Sequence, residues 1–187
     1  DRVTGRIDAF APSAKVIHID IDPSSISKNV RVDIPVVGDA RGILSDLTEQ
    51  ATAQPREAWH KQITAWKKKH PLAYDPGSGA IKPQAVLQEL CRQAPEDAII
   101  TTEVGQNQMW TALWYTFRRP QTLVSSGGLG TMGFGFPAAI GAQVGCPGRL
   151  VVDVAGDGSI QMNIQELATV AQYKLPVKVL ILNNGFL

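Results

Sequence analysis

The sequence predicts an α/β protein of two Rossmann-like units, each a parallel sheet with helices on both faces. Three observations carry that expectation. Short β-branched runs alternate with amphipathic helical stretches along most of the chain. The alternation lapses once, between Ala53 and Pro83. Several of the apolar runs also end in Gly, Asp or Asn, the residues found where a parallel sheet turns out of its strands toward a ligand.

Lys15 to Ile21 is rich in β-branched types and runs into Asp22-Pro23-Ser24-Ser25, which predicts a strand followed by a capped helix. A second strand, Ile34 to Val37, ends in Gly38-Asp39-Ala40, and a helix with Ile43, Leu44 and Leu47 on one face follows. Residues 1–53 therefore read as the back half of one unit. Residues 54–82 read as a helical linker. Its helix carries a Trp59, Ile63, Trp66 stripe of packing type, and Asp75-Pro76-Gly77-Ser78-Gly79 forms its loop. Residues 83–187 read as a second unit, with helices at 83–93, after Gln106, at 135–145 and at 162–173. Its strands are expected at 98–102, 122–125, 150–155 and 177–182.

Composition narrows the classes of function. Eighteen Lys and Arg against 17 Asp and Glu give a formal charge of +1, so no strong field points to nucleic acid or an anionic membrane. The basic run Lys67-Lys68-Lys69-His70 suits the solvated end of a helix. Cys91 and Cys146 lack CxxC spacing, and the three histidines form no ligand pair, which argues against a disulfide framework or a zinc site. With no apolar run of about 20 residues and no signal peptide, a cytoplasmic protein is the expectation. The chain opens without Met and stops directly after an apolar strand, so a piece of a longer protein is expected.

Two strand ends carry the chemistry. Leu150 to Ala155 leads into Gly156-Asp157-Gly158-Ser159, and Val177 to Leu182 leads into Asn183-Asn184. If these strands are near neighbours, Asp157 and Asn184 converge at the carboxyl edge of a sheet. A carboxylate, an amide oxygen and a backbone carbonyl just beyond Asn184 would give part of the octahedron that Mg²⁺ prefers, with diphosphate and water completing it. Gly158 and Ser159 would present donors at a helix start, where the dipole favours phosphate. Gly-Asp-Gly by itself fits an ordinary turn; the Asn pair, one crossover helix and one strand later, points to a site.

Gly-Asp-Gly followed at this interval by Asn-Asn resembles the signature of thiamine-diphosphate enzymes. Two further blocks, Val104-Gly105-Gln106-Asn107-Gln108-Met109-Trp110 and Ser126 to Gly135, and the run Gln161 to Leu167 are similar to the large catalytic subunit of the acetohydroxyacid synthases, also called acetolactate synthases. The resemblance covers essentially the whole chain. It implies a thiamine-diphosphate-dependent carboligase that joins pyruvate to a second 2-oxo acid, pyruvate or 2-oxobutyrate, with loss of carbon dioxide, in branched-chain amino-acid biosynthesis. The alternatives are a non-catalytic diphosphate-binding remnant or assembly module, and a relative such as pyruvate oxidase or a decarboxylase.

The same resemblance assigns roles by position. Asp157, Asn184 and the backbone oxygen of Phe186 would hold Mg²⁺, and Val104, Gly105, Gln106, Asn107, Gly158 and Ser159 would lie along the diphosphate. Many members have His where this chain has Asn107, which keeps a hydrogen-bond donor and loses a charge. Gly130 and Met132 would sit by the aminopyrimidine, Met132 as the wedge that bends the cofactor. Asp20, Ile21, Ser25, Gly38, Asp39 and Ala40 match positions on the adenosine side of an FAD site. The glutamate that activates the cofactor would come from an N-terminal pyrimidine-binding domain of a partner subunit. Neither Glu103 nor Glu166 matches it, so the chain is expected to hold no catalytic residue and to be inactive alone. A homodimer or homotetramer is implied, and a regulatory small subunit is left open.

Overall fold

The computed structural model describes residues 5–77 and 79–186. The first four residues, Ser78 in the expected linker loop and Leu187 lie outside that range. The chain divides into two compact units, Asp1–Leu72 and Ala73–Leu187.

The first unit contains two parallel strands, β1 (Ile17–Asp20) and β2 (Ile34–Val37), paired in the register Ile17 to Ile34 and Asp20 to Val37. The helix expected after Asp22 is a single 3₁₀ turn, Pro23–Ser25. Asp22 caps that turn by accepting from Ser24 N, but Ser27 then takes φ 59°, a left-handed conformation that stops propagation. Helix α1 (Ala40–Gln50) begins as the sequence predicts, with Asp39 accepting from the amides of Arg41 and Gly42. Helix α2 (Glu57–Lys69) ends on its three lysines, whose charge opposes the negative end of the dipole. Its Trp59 and Trp66 pack on each other edge to face at 5.5 Å and stay about half exposed, so the stripe packs on itself and not against the unit. None of the described residues of this unit is buried. Two strands offer one another too little surface to exclude water, which leaves Ile17, Ile34, Leu44 and Leu47 exposed.

The second unit holds the core. Its elements run α3 (Pro83–Gln93), β3 (Ile99–Thr102), α4 (Gln106–Trp114), β4 (Leu123–Ser125), α5 (Gly135–Gly145), β5 (Val151–Gly156), a 3₁₀ segment (Ser159–Glu166), α6 (Leu167–Tyr173) and β6 (Lys178–Leu182). All strand pairs are parallel, in the spatial order β4-β3-β5-β6. From β3 the chain steps one way to β4 and later returns to lay β5 on the other side of β3. Right-handed crossovers then require α4 and α5 on opposite faces of the sheet. Side-chain packing agrees. Ile100, Val152 and Val154 pack with Leu87 of α3 and Trp110 and Trp114 of α4. On the other face Ile99 and Val151 pack with Ala139 of α5, and Ala155 packs with Phe136.

One expected helix is broken. In place of a continuous helix at 162–173, the Ser159–Glu166 segment is 3₁₀, with Asn163 at φ −132° and ψ 36°, before α6 begins. The break has a cause: the Asn163 side-chain amide leaves the helix to donate to Gly133 O at 2.6 Å. Cys91 packs against the α3–α4 core as its position predicts.

Candidate functional site

Because the strand order reverses between β3 and β5, their carboxyl ends diverge into a crevice, the usual place for a ligand in an open α/β sheet. A cleft of about 430 Å³ lies there. Its walls come from the start of α4 (Val104 to Trp110), the turn after β5 (Gly156, Gly158, Ser159), the turn after β6 (Asn184, Phe186) and Met132.

Asp157 and Asn184 meet as the sequence suggests. β5 and β6 pair directly, Gly156 opposite Leu182, so the turns beyond them are neighbours. Asn184 N donates to Asp157 Oδ1 at 3.2 Å, and the Asn184 side-chain amide donates to Gln106 Oε1 at 3.3 Å. Three chain segments distant in sequence are thereby joined at one point. Asn184 Oδ1 accepts from Phe186 N at 3.0 Å, which turns the chain back over the cleft and leaves that oxygen a second lone pair.

The cleft suits a diphosphate held through a hard cation. Gly105, at φ 136°, precedes α4 and offers no side-chain cap; Gln108 N is taken by Asn107 Oδ1, so the amides of Gln106 and Asn107 are the ones left for a ligand. The 3₁₀ segment after Gly158 likewise starts without a side-chain cap. Two positive helix ends thus border one cleft. Among the described residues no three His, Cys, Asp or Glu side chains cluster as metal ligands. A cation here would take one carboxylate and neutral oxygens from the protein and its remaining ligands from phosphate and water, the habit of Mg²⁺.

Other expected contacts fall into place differently. Asn107 borders the cleft but is buried, its amide donating to Val154 O at 3.3 Å and its oxygen accepting from Gln108 N at 2.7 Å. An uncharged amide can fill that niche, bound on both sides, without the cost of burying an ion. The Ser159 hydroxyl is also buried, accepting from Gly156 N at 3.1 Å. That bond ties the hydroxyl to the turn after β5, in the wall of the cleft. Gly130 adopts φ 66° and donates to Ser126 O, closing the loop that delivers Met132 to the cleft. Glu166 accepts from Thr169 Oγ1 at 2.8 Å at the head of α6 and does not border the cleft.

In the first unit Asp20, Ile21, Ser25, Gly38, Asp39 and Ala40 gather at the carboxyl ends of the two strands, where Gly38 N donates to Asp20 O at 3.0 Å. The carboxylates hold local turns: Asp20 accepts from Asp22 N, and Asp39 caps α1. Ile21 stands exposed beside them.

Two buried acids went unassigned in the sequence. Glu103, fully buried, accepts from Gly133 N at 2.8 Å and Phe136 N at 2.9 Å, capping α5 from the end of β3. Asp153, opposite Thr101 in the β3–β5 ladder, accepts from the Thr101 hydroxyl at 2.8 Å, and its second oxygen has no partner. Burial pushes the Asp153 carboxyl up to about 7; the Thr101 hydrogen bond lowers it and the nearby Glu103 charge raises it. A single Asp inside Val-Val-Asp-Val-Ala was the signal available. Between about pH 4 and pH 7 the folded state holds this proton and the unfolded chain has released it, so stability falls as pH rises through that window. Asp153→Asn should flatten the fall, which amounts to on the order of 4 kcal/mol. Urea unfolding of both proteins at about pH 5 and about pH 8 reads the part of it that lies between those values, roughly 3 kcal/mol.

Comparison with known proteins matches this architecture. The family model for the thiamine pyrophosphate enzyme C-terminal TPP binding domain matches residues 103–187, and that for the central domain of the same enzymes matches residues 1–47. The chain belongs to the thiamine pyrophosphate enzymes. Within this family it is similar to the acetolactate synthase isozyme 3 large subunit of Escherichia coli (strain K12), 51% identical over 100% of this chain and 34% of the relative. The acetolactate synthase large subunit of Parasynechococcus marenigrum (strain WH8102) is 54% identical over 98% of this chain and 30% of its own length. Acetolactate synthase 1, chloroplastic, from Oryza sativa subsp. japonica is 48% identical over 100% of this chain and 30% of its own. The chain thus spans about a third of the length of the curated relatives it matches. The match of the C-terminal model begins at Glu103 and includes every cleft residue from Val104 onward. Among the described residues no helix is long and apolar enough to cross a membrane.

Proposed function

We propose that these residues form the diphosphate-binding half of an acetolactate synthase active site, in an enzyme that condenses pyruvate with pyruvate or 2-oxobutyrate and releases carbon dioxide. The observation that carries the reading is the contact of Asn184 with Asp157 and Gln106 at the mouth of the β3–β5 crevice. A chain so similar to acetolactate synthase large subunits, with those groups so placed, fits that reaction and its place in branched-chain amino-acid biosynthesis.

In this reading Asp157, Asn184 Oδ1 and the Phe186 carbonyl hold Mg²⁺. Gly158 and the Gln106 and Asn107 amides at the start of α4 orient the diphosphate, and the Ser159 and Asn107 side chains brace the turns on which it rests. Met132, on its Gly130 loop, supports the organic half of the cofactor. Bound there, thiamine diphosphate supplies the electron sink that decarboxylation of a 2-oxo acid needs. The cluster at Asp20 and Asp39 takes the adenosine side of FAD. The proton-transferring glutamate belongs to a second subunit, so the working enzyme is at least a dimer, in the cytoplasm, with room for a regulatory small subunit.

The test is acetolactate formation from pyruvate by the full-length protein, read colorimetrically as acetoin after acid treatment. Turnover that requires both Mg²⁺ and thiamine diphosphate is the expected result. A full-length protein that releases acetaldehyde or acetate and no acetolactate would sink the assignment. Residues 1–187 alone should show no turnover.

A further inference from the structure

We propose that Glu103 is a positioning residue that, together with Asn163, fixes the loop presenting Met132 to the cofactor; this rests on the function proposed above. The geometry is a two-sided clamp on Gly133, the residue next to Met132. On one side Gly133 N donates to Glu103 Oε2 at 2.8 Å, and the other carboxylate oxygen accepts from Phe136 N at 2.9 Å. On the other side Gly133 O accepts from Asn163 Nδ2 at 2.6 Å. Gly133 itself has φ 79°, and a Cβ there would stand 2.6 Å from Asn163 Nδ2 and 2.9 Å from Met162 Cβ. The clamp therefore admits glycine alone.

Both arms draw on costly features of the fold. Glu103 is a fully buried carboxylate, and Asn163 breaks the helical conformation of its own segment to reach Gly133. Neither residue borders the cleft, while Met132, joined to the clamped peptide, does. The metal side, built from Asp157 and Asn184, shares no hydrogen bond with the clamp. Loosening the clamp should thus weaken recognition of the organic half of the ligand and spare the diphosphate.

The test compares two probes, Mg²⁺-pyrophosphate and Mg²⁺-thiamine diphosphate, by calorimetry on the full-length protein. Glu103→Gln keeps the size of the side chain but turns an NH₂ toward one of the two amides. Its affinity for thiamine diphosphate should fall about tenfold to a hundredfold, with pyrophosphate affinity changed by less than about threefold. Asn163→Ala, which leaves the buried carboxylate alone, should act in the same direction and serves if Glu103→Gln does not fold. Equal losses for both probes in the folded variants, or no loss for either, would overturn the positioning role. A wild-type protein that binds pyrophosphate but not thiamine diphosphate would instead overturn the function itself, and the clamp's role with it.

Discussion

Asp157→Ala should abolish Mg²⁺-dependent binding of thiamine diphosphate, lowering affinity by at least about a hundredfold, roughly 3 kcal/mol. In the proposed site this side chain is the one carboxylate offered to the metal, and its hydrogen-bond partner among the described residues is Asn184 N. Its loss removes the charged ligand of the proposed site and frees the turn after β6 that carries Asn184 and Phe186. The core is untouched, because Val151 to Ala155 are buried whatever stands at 157. Calorimetry with Mg²⁺ and thiamine diphosphate should show no binding where thermal melting shows a normal fold. Micromolar binding by the variant would mean that the metal is held elsewhere.

Gly135→Ala should be the most damaging single methyl in the second unit. A Cβ at 135 would lie 2.5 Å from Glu103 N, 2.6 Å from Asp153 Oδ1 and 2.6 Å from Thr102 C. Two of those atoms belong to the backbone at the end of a central strand, and the third is a buried carboxyl. None can withdraw without opening the β3–β5 ladder. Overpacking costs of about 3 kcal/mol or more are expected, a fall in melting temperature on the order of 10 °C. Gly141→Ala, in the same helix with nothing within 4 Å of its Cβ position, is the control. There the methyl should be neutral or stabilising by up to about 1 kcal/mol. Equal melting temperatures for the two variants would disprove the close approach of α5 to the sheet.

Periodicity made the elements of the second unit legible, since α3 at Pro83–Gln93 and α5 at Gly135–Gly145 begin and end at sequence punctuation. The pairing of Asp157 with Asn184 was legible too, because strand ends are where polar residues gather. Strand order was not. Nothing local in Ile99–Thr102 says that β5, about fifty residues on, lies beside it while β4 lies on the far side. The Asn163 break was hidden for a related reason: its cause is a carbonyl thirty residues away in another loop. Residue type alone does not show that the Asn107 and Ser159 side chains are buried and bonded to backbone while both residues border the cleft. Glu103 sat one residue outside a strand of apolar and hydroxyl side chains, where sequence alone does not distinguish a surface charge from a buried cap.

The placement of β5 between β3 and β6 also governs how the chain is made. While the ribosome delivers residues in order, β3 can pair with β4 as soon as β4 is out, but its other edge stays open until β5 emerges. That edge belongs to Ile99 and Ile100, which end up fully covered. An apolar strand with a free ladder is the feature that recruits foreign strands, and closing it must wait for a long loop. The nascent second unit is therefore most vulnerable to aggregation between the synthesis of β4 and that of β5.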